Sequence, residues 1–341
     1  MIKSPGRFLA ATLLLLAVVG LSSCSRSPSS SSQDKPVYPG TITIGTVVWP
    51  GYIALYIARD KGYFREAGLN VELKNYAALS ELSQDYAAGK MQGRANLNLD
   101  AVIEKLKGLD HQVVLAIDYS NGADGIATRS DIQSLADVKG KRVGLDPNTL
   151  EEFFMAWALE QNSSSLKDVT VIPADPEKAP QLLKAGEVDV AVTYEPFLSQ
   201  LLADGQFHTI YSSSDAPGLI ADLLTFRTEF IQAYPETVEA FIRAYFRALR
   251  FWKEHPEEAL VILAKELNDT PEGTAKQLKG LHVLDENDNR TAFTFAAGLQ
   301  SLYGNLRHVA QFVGEHQAGT TSPLDSDALI DRTFIKAITQ N

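Results

Sequence analysis

Apolar and polar residues alternate with a period of two from Thr41 to Val48, as in a half-buried strand. The run breaks at Trp49-Pro50-Gly51-Tyr52. Residues Ile53–Asp60 then put Ala54, Ile57 and Ala58 on one helical face, and a second strand begins near Asn70. The same reading predicts strands over 71–75, 113–118, 125–128, 142–145, 169–172, 188–193 and 208–212. It predicts helices over 79–88, 101–107, 150–161 and 179–185. Strands alternating with helices as far as Asp222 predict an α/β fold of parallel sheets faced by helices. Beyond about Thr228 the pattern predicts helices only. Pro235–Glu254 carries Val238, Phe241, Ile242, Tyr245, Leu249 and Trp252 at steps of three and four, and further helices are expected over 257–267, 271–281, 293–305 and 326–338. Tyr245 and Trp252 read as core.

The first residues follow a different rule. Lys3 and Arg7 precede the apolar stretch Phe8 to Leu21, which is too short for a membrane span and reads as a signal peptide over 1–23. Leu21-Ser22-Ser23-Cys24 resembles the lipobox of bacterial lipoproteins. Cys24 is the sole cysteine, so it has no disulfide partner in the chain and is the expected lipidation site. Residues 24–39 are rich in Ser and Pro and read as a flexible tether. About 300 residues remain from Gly40, enough for two lobes with cores of their own.

Composition narrows the function. The net charge of −11 becomes −13 once Lys3 and Arg7 are removed, which argues against a nucleic-acid partner. The six histidines are scattered, and none pairs at metal-ligand spacing on a helix, so no metal or cofactor is expected. There is no nucleophile elbow, P-loop or dinucleotide fingerprint, and no enzyme is expected. Asp285-Glu286-Asn287-Asp288-Asn289 opens like a calcium loop, but Arg290 replaces the required glycine, so it reads as a polar turn.

Acids and aromatics gather where strands end. Trp49 and Tyr52 stand between a strand and a helix, where open α/β sheets bind ligands, or they fill the core beneath that helix. Asp118, followed by Ser120 and Asp124, ends the run VVLAID. Asp100 precedes a helix. Glu151 and Glu152 open another, where they also complement its dipole. Tyr194 and Glu195 follow VDVAVT, and Asp222 lies in GLIADLL.

The order of lipobox, IGTVVWPGYIALYIARDKGYFREAGLNVEL, SLADVKGKRVG, AGEVDVAVTYEPF and helical tail resembles substrate-binding proteins of ABC importers. The similarity is to the nitrate/sulfonate/taurine type, which includes the binders of pyrimidine precursors. The resemblance implies a two-lobed periplasmic-binding-protein fold of type II with a helical C-terminal tail. Lobe 1 would be 40–127 plus 224–341 and lobe 2 128–223, with crossings near Thr128 and Leu219–Leu223. It implies a ligand cleft lined by Trp49, Tyr52, Asp118, Ser120, Glu151, Glu152, Tyr194, Glu195 and Asp222, to which the acids read from the residues themselves add Asp100 and Asp124. It further implies a monomer, lipid-anchored outside the membrane and serving a permease and its ATPase. One departure stands out: Lys90-Met91-Gln92-Gly93-Arg94 replaces a run that often carries an Asp in the family.

The residues themselves favour a ligand of the opposite sign to nitrate. Clustered carboxylates repel an anion, whereas paired acids accept N–H donors and an aromatic face attracts a cation. A guanidinium- or amine-like solute is expected first, a neutral pyrimidine-type precursor second and a small oxyanion third. An enzyme on the same fold is the alternative of another class.

Overall fold

Two mixed sheets organise the protein. The computed structural model describes residues 37–77, 79–316 and 324–339; the expected signal peptide, Cys24 and most of the tether lie outside these. The strands are β1 (Thr41–Val47), β2 (Asn70–Tyr76), β3 (Gly93–Leu97), β4 (His111–Ser120), β5 (Asp124–Arg129), β6 (Arg142–Leu145), β7 (Thr170–Pro173), β8 (Val190–Tyr194), β9 (Phe207–Ser212), β10 (Ala221–Arg227) and β11 (Leu281–Val283). The first sheet has the order β11-β4-β10-β3-β1-β2 and the second β7-β6-β8-β5-β9. Both belong to one compact unit, Lys35–Asn341.

The expectation of parallel sheets is corrected to mixed ones. β1 pairs in parallel with β2 and β3, and β6 with β7 and β8, through right-sized helical crossovers. β5 and β10 run against their neighbours. Each is the first strand after the chain leaves one sheet for the other, so each enters its new sheet from the opposite end. The chain crosses at Asn121–Ala123 and returns between Ser212 and Ala221. Thr128, expected at the first crossing, lies inside β5 and pairs with Val190 and His208. Residues 221–223, expected in lobe 2, already belong to β10 of the first sheet.

Buried apolar runs explain the strands that were predicted. Val113 to Ile117 of β4 are wholly inaccessible, as expected of a strand covered on both faces. The helix Ile53–Asp60 buries Ile53 through Ala58. The Pro235–Glu254 helix buries Val238, Phe241, Ile242 and Tyr245. Chain packing begins no later than Tyr38, two residues ahead of Gly40. Its ring meets Phe230 and Tyr234 edge-on, and its N–H donates to Thr237 Oγ1 at 2.8 Å.

Four tail expectations change. The helix expected over 326–338 is a 3-10 turn, Ser326–Leu329, and after a break at Ile330 a separate helix, Thr333–Thr339. β11 is a strand, hydrogen-bonded to the edge of β4. The helix expected over 293–305 begins at Leu302 and runs to His316. Asp285 caps the helix Glu286–Ala292, accepting from the N–H groups of Asn287 and Asp288, where a polar turn was expected.

Buried amides fix the crossings in place. At the return, Gly218 has φ +87° and a Cβ there would lie 2.8 Å from the Leu299 carbonyl oxygen. Asn305 Nδ2 donates to Gly218 O at 2.6 Å and Leu219 O at 2.9 Å, and Asn98 Nδ2 reaches Leu219 O and Asn305 Oδ1, both at 2.8 Å. At the outgoing crossing, Asn121 N and Ala123 N both donate to Gly280 O, and Ala123 O accepts from Glu195 N. We predict that Asn305→Leu lowers stability by about 2–4 kcal/mol, because the Gly218 carbonyl loses its donor and the Asn98 amide loses the Asn305 oxygen it donates to, while Leu219 O keeps Asn98. Urea unfolding measures this; an unchanged midpoint would show that the crossing does not depend on the amide.

Candidate functional site

The site is built on neighbouring antiparallel strands. Asp118 near the end of β4 stands directly opposite Asp222 at the start of β10, both essentially buried. Residues so paired have side chains on one face about 5 Å apart, where like charges oppose each other. Two donors from the Trp49–Tyr52 turn meet them. Trp49 Nε1 donates to Asp118 Oδ2 at 3.3 Å and Tyr52 OH donates to Asp222 Oδ1 at 2.5 Å. The turn is a short 3-10 helix, Pro50–Tyr52, with proline at its first position, where a missing N–H costs nothing. Gly51 is required by close approach: a Cβ there would lie 1.9 Å from Asp118 Oδ2.

The second sheet supplies the opposing wall. Asp124 at the start of β5 pairs in register with Tyr194 at the end of β8. The Tyr194 ring stands edge-on to Trp49 with centroids 6.5 Å apart, so the aromatic residues of the two sheets meet. Glu151 lies buried in the first turn of Leu150–Glu160 and accepts from the Thr149 hydroxyl. Ser120 Oγ shares a hydrogen bond of 2.7 Å with Ser213 Oγ, which also accepts from Gly122 N at 2.7 Å.

The carboxyls are all pushed towards their neutral form. Burial and the charge of Asp222 raise Asp118 far above the ordinary carboxyl range, and burial raises Asp222 despite the Tyr52 hydrogen bond. The two form one coupled pair that resists a second negative charge. Burial also lifts Asp124 to about 7, against the Ser120 hydrogen bond, and Glu151 to about 7, with Asp124 adding to the shift. The Tyr194 phenol rises to about 12, through burial first and then the charges of Glu151 and Asp124. Asp118 Oδ1 is buried with no hydrogen-bond donor.

The sequence-predicted residues divide into two groups. Trp49, Tyr52, Asp118, Ser120, Asp124, Glu151, Tyr194 and Asp222 are brought together. The other three point their carboxylates elsewhere. Asp100 faces Arg94 at 3.4 Å. Glu152 accepts from Asn148 N at 2.7 Å. Glu195 accepts from Ser199 Oγ at 2.6 Å, although its charge still acts on Asp124. Each of these caps or pairs with its own local segment, which sequence position alone does not reveal. Arg94, the cation whose charge acts on Asp222, is wholly buried and engaged by Glu104, Asp100 and Ser83. Gly51 and Ser213 were not anticipated; Gly51 was legible as part of the broken strand end, whereas Ser213 is 93 residues from Ser120 and carries no local signal.

Among the described residues no group of three or more His, Cys, Asp or Glu could hold a metal ion, and no helix is long and apolar enough to cross a membrane. The family described as NMT1/THI5 like matches residues 49–259. The chain belongs to that family. A Bacillus subtilis protein named for binding aliphatic sulfonates is 26% identical over 261 residues, 72% of this chain and 75% of its own. The formylaminopyrimidine-binding protein of Halalkalibacterium halodurans is 24% identical over 256 residues, 73% of this chain and 76% of its own. In fold, the periplasmic aliphatic sulphonate binding protein SsuA from Escherichia coli superposes with a TM-score of 0.70 at 15% identity, over 87% of this chain and 99% of that one. The expected periplasmic-binding-protein fold is therefore the fold found, and the expected kinship with ABC-importer binding proteins holds within the family.

Two outcomes follow for the acidic pair. Gly51→Ala must displace Asp118 or Trp49 and is expected to abolish ligand binding while the far-ultraviolet circular dichroism stays unchanged; a fully active Gly51→Ala protein would contradict the crowding. Raised carboxyl pKa values mean that the folded chain holds protons that the unfolded chain releases between about pH 4 and 7, so stability falls as pH rises through that window. Asp118→Asn should therefore stabilise the ligand-free protein by about 1–3 kcal/mol at pH 8 and leave it nearly unchanged at pH 4. Denaturant melts at the two pH values test the sign; a loss at pH 8 would contradict it.

Proposed function

We propose that this protein captures a small nitrogen-rich cation, guanidinium- or amine-like, between its two sheets and delivers it to a membrane permease driven by an ATPase. The observation that carries the reading is the convergence of Asp118, Asp222, Asp124 and Glu151, all buried, with the nearby Arg94 already engaged by carboxylates. A cation carrying several N–H donors satisfies these oxygens at once, including the unpartnered Asp118 Oδ1, and the Trp49 and Tyr194 faces add cation–π attraction. The sulfonate named for relatives carries a charge that these carboxyls repel unless every one is protonated.

A second reading is favoured by the same raised pKa values. Neutral carboxylic acids donate as well as accept, so the site also suits an uncharged pyrimidine-type ring, the ligand class named for the Halalkalibacterium halodurans relative.

In this reading the first sheet with the helical tail is one lobe and the second sheet the other. The crossings at 121–123 and 213–220 serve as the hinge, and the Trp49–Tyr194 contact marks closure. The proposal includes a lipid at Cys24 after removal of residues 1–23, which holds a monomer to the outer side of a membrane within reach of its permease.

Protons separate the two readings. Carboxyls near or above pH 7 must ionise to hold a cation, so guanidinium binding at pH 7 should release protons and weaken by up to about tenfold per pH unit below 7 for each proton released. Calorimetry in buffers of different ionisation enthalpy measures the count. Asp118→Asn should weaken binding by about 1.5–3 kcal/mol. A neutral pyrimidine binding without proton release would favour the second reading, and tight nitrate or sulfonate binding with no response to cations would end both.

A further inference from the structure

A second pocket lies on the tail, sharing no residue with the acidic site. It encloses about 390 Å³ and is lined by Arg290, Phe293, Phe295, Arg332, Ile335 and Lys336, with threonines at its rim. Its charge is opposite to that of the protein as a whole, whose net charge is −11. Nine of the twelve described arginines form ion pairs; Arg290 and Arg332 are two of the three that do not, and Lys336 forms none either. Arg332, just ahead of the helix Thr333–Thr339, and Lys336, in its last turn, stand four residues apart, a spacing at which like charges oppose each other. Arg290 brings a third cation from the last turn of Glu286–Ala292. Asp331, the nearest acid in sequence, is engaged by Thr333.

The aromatic wall is held in place. Phe295 is 60% exposed, the one aromatic among the described large hydrophobics left so open. Its ring lies against Tyr303, with centroids 5.1 Å apart, and near the Arg307 guanidinium, 4.7 Å from its centroid. Arg307 is itself tied to Asp327 at 2.6 Å. An exposed ring fixed beside three uncompensated cations is preorganised to receive a flat apolar body that carries an anionic group.

We propose that this pocket binds a small aromatic carboxylate or similar planar organic anion, its acid group held by Arg290, Arg332 and Lys336 and its ring against Phe295. The arginine fork matches a carboxylate bidentately. The volume falls in the range of small-molecule pockets. The negative field of the remaining surface disfavours an extended polyanion or an anionic membrane, which three cations alone do not outweigh.

The test uses 2-naphthoate with the full chain, followed by calorimetry and by the Phe ring signals in NMR. Acetate and the uncharged 2-naphthylmethanol are controls, and vesicles of phosphatidylglycerol are a separate arm. Naphthoate should bind at least about tenfold more tightly than either control, and Arg332→Ala or Arg290→Ala should weaken it about tenfold to a hundredfold. Phe295→Ala should weaken naphthoate but not acetate, and Asp118→Asn should leave naphthoate binding unchanged. The proposal is overturned if naphthoate binds no better than the controls, or if its binding is altered by Asp118→Asn and unaffected by Arg290→Ala and Arg332→Ala, which would place it in the acidic site. It is equally overturned if the arginine variants lose vesicle binding while naphthoate does not bind.

Discussion

The structure turns on two aspartates that face each other across adjacent antiparallel strands and accept from the neutral donors Trp49 and Tyr52. Register alone brings Asp118 and Asp222 together. Burial then makes their joint ionisation unfavourable, by more than one hydrogen bond from Trp49 or Tyr52 offsets. A protein selected only for stability would not keep such a pair. In the proposed function, a cation bound at the meeting point of the two sheets offsets that cost.

The rest of the fold serves that juxtaposition. β10 reaches Asp118 only because the chain leaves the first sheet after Ser120 and returns after Ser212, so the two acids belong to strands more than 90 residues apart in sequence but adjacent in space. Asn305 and Asn98 hold the return at Gly218 and Leu219, one turn of chain before Asp222. The 3-10 turn at Pro50 brings an indole and a phenol down onto the carboxyls, and Gly51 lets it come close enough. The second sheet contributes Asp124, Glu151 and Tyr194 from the opposite side. The acidic site and the cationic tail pocket thus sit in different parts of one acidic chain, each with a local charge that its surroundings do not neutralise.

Much of this was legible in the sequence, for physical reasons that also explain what was not. Apolar runs such as Val113 to Ile117 and the period of Pro235–Glu254 define their elements locally. β3 and β10 escaped because Arg94, Asn96, Asp222 and Thr225 are buried polar residues that interrupt the hydrophobic pattern, and these interruptions are where the polar networks lie. Most of the acidic residues at strand ends do converge, since strand ends point into the same crevice. Asp100, Glu152 and Glu195 do not, because an acid in the first turn of a helix or beside a cation has a local partner that outcompetes a distant one. Pairings such as Ser120 with Ser213 depend on the crossing geometry and have no trace in nearby residues.

The most direct measurement is the titration of the aspartate carboxyl carbons by NMR in the ligand-free protein. The account predicts that Asp124 and the Asp118–Asp222 pair change protonation near or above pH 7, and that saturating guanidinium removes those transitions from the neutral range. If every aspartate titrated in the ordinary range near pH 4, with or without guanidinium, the acidic pair would carry no stored repulsion and the account would be wrong.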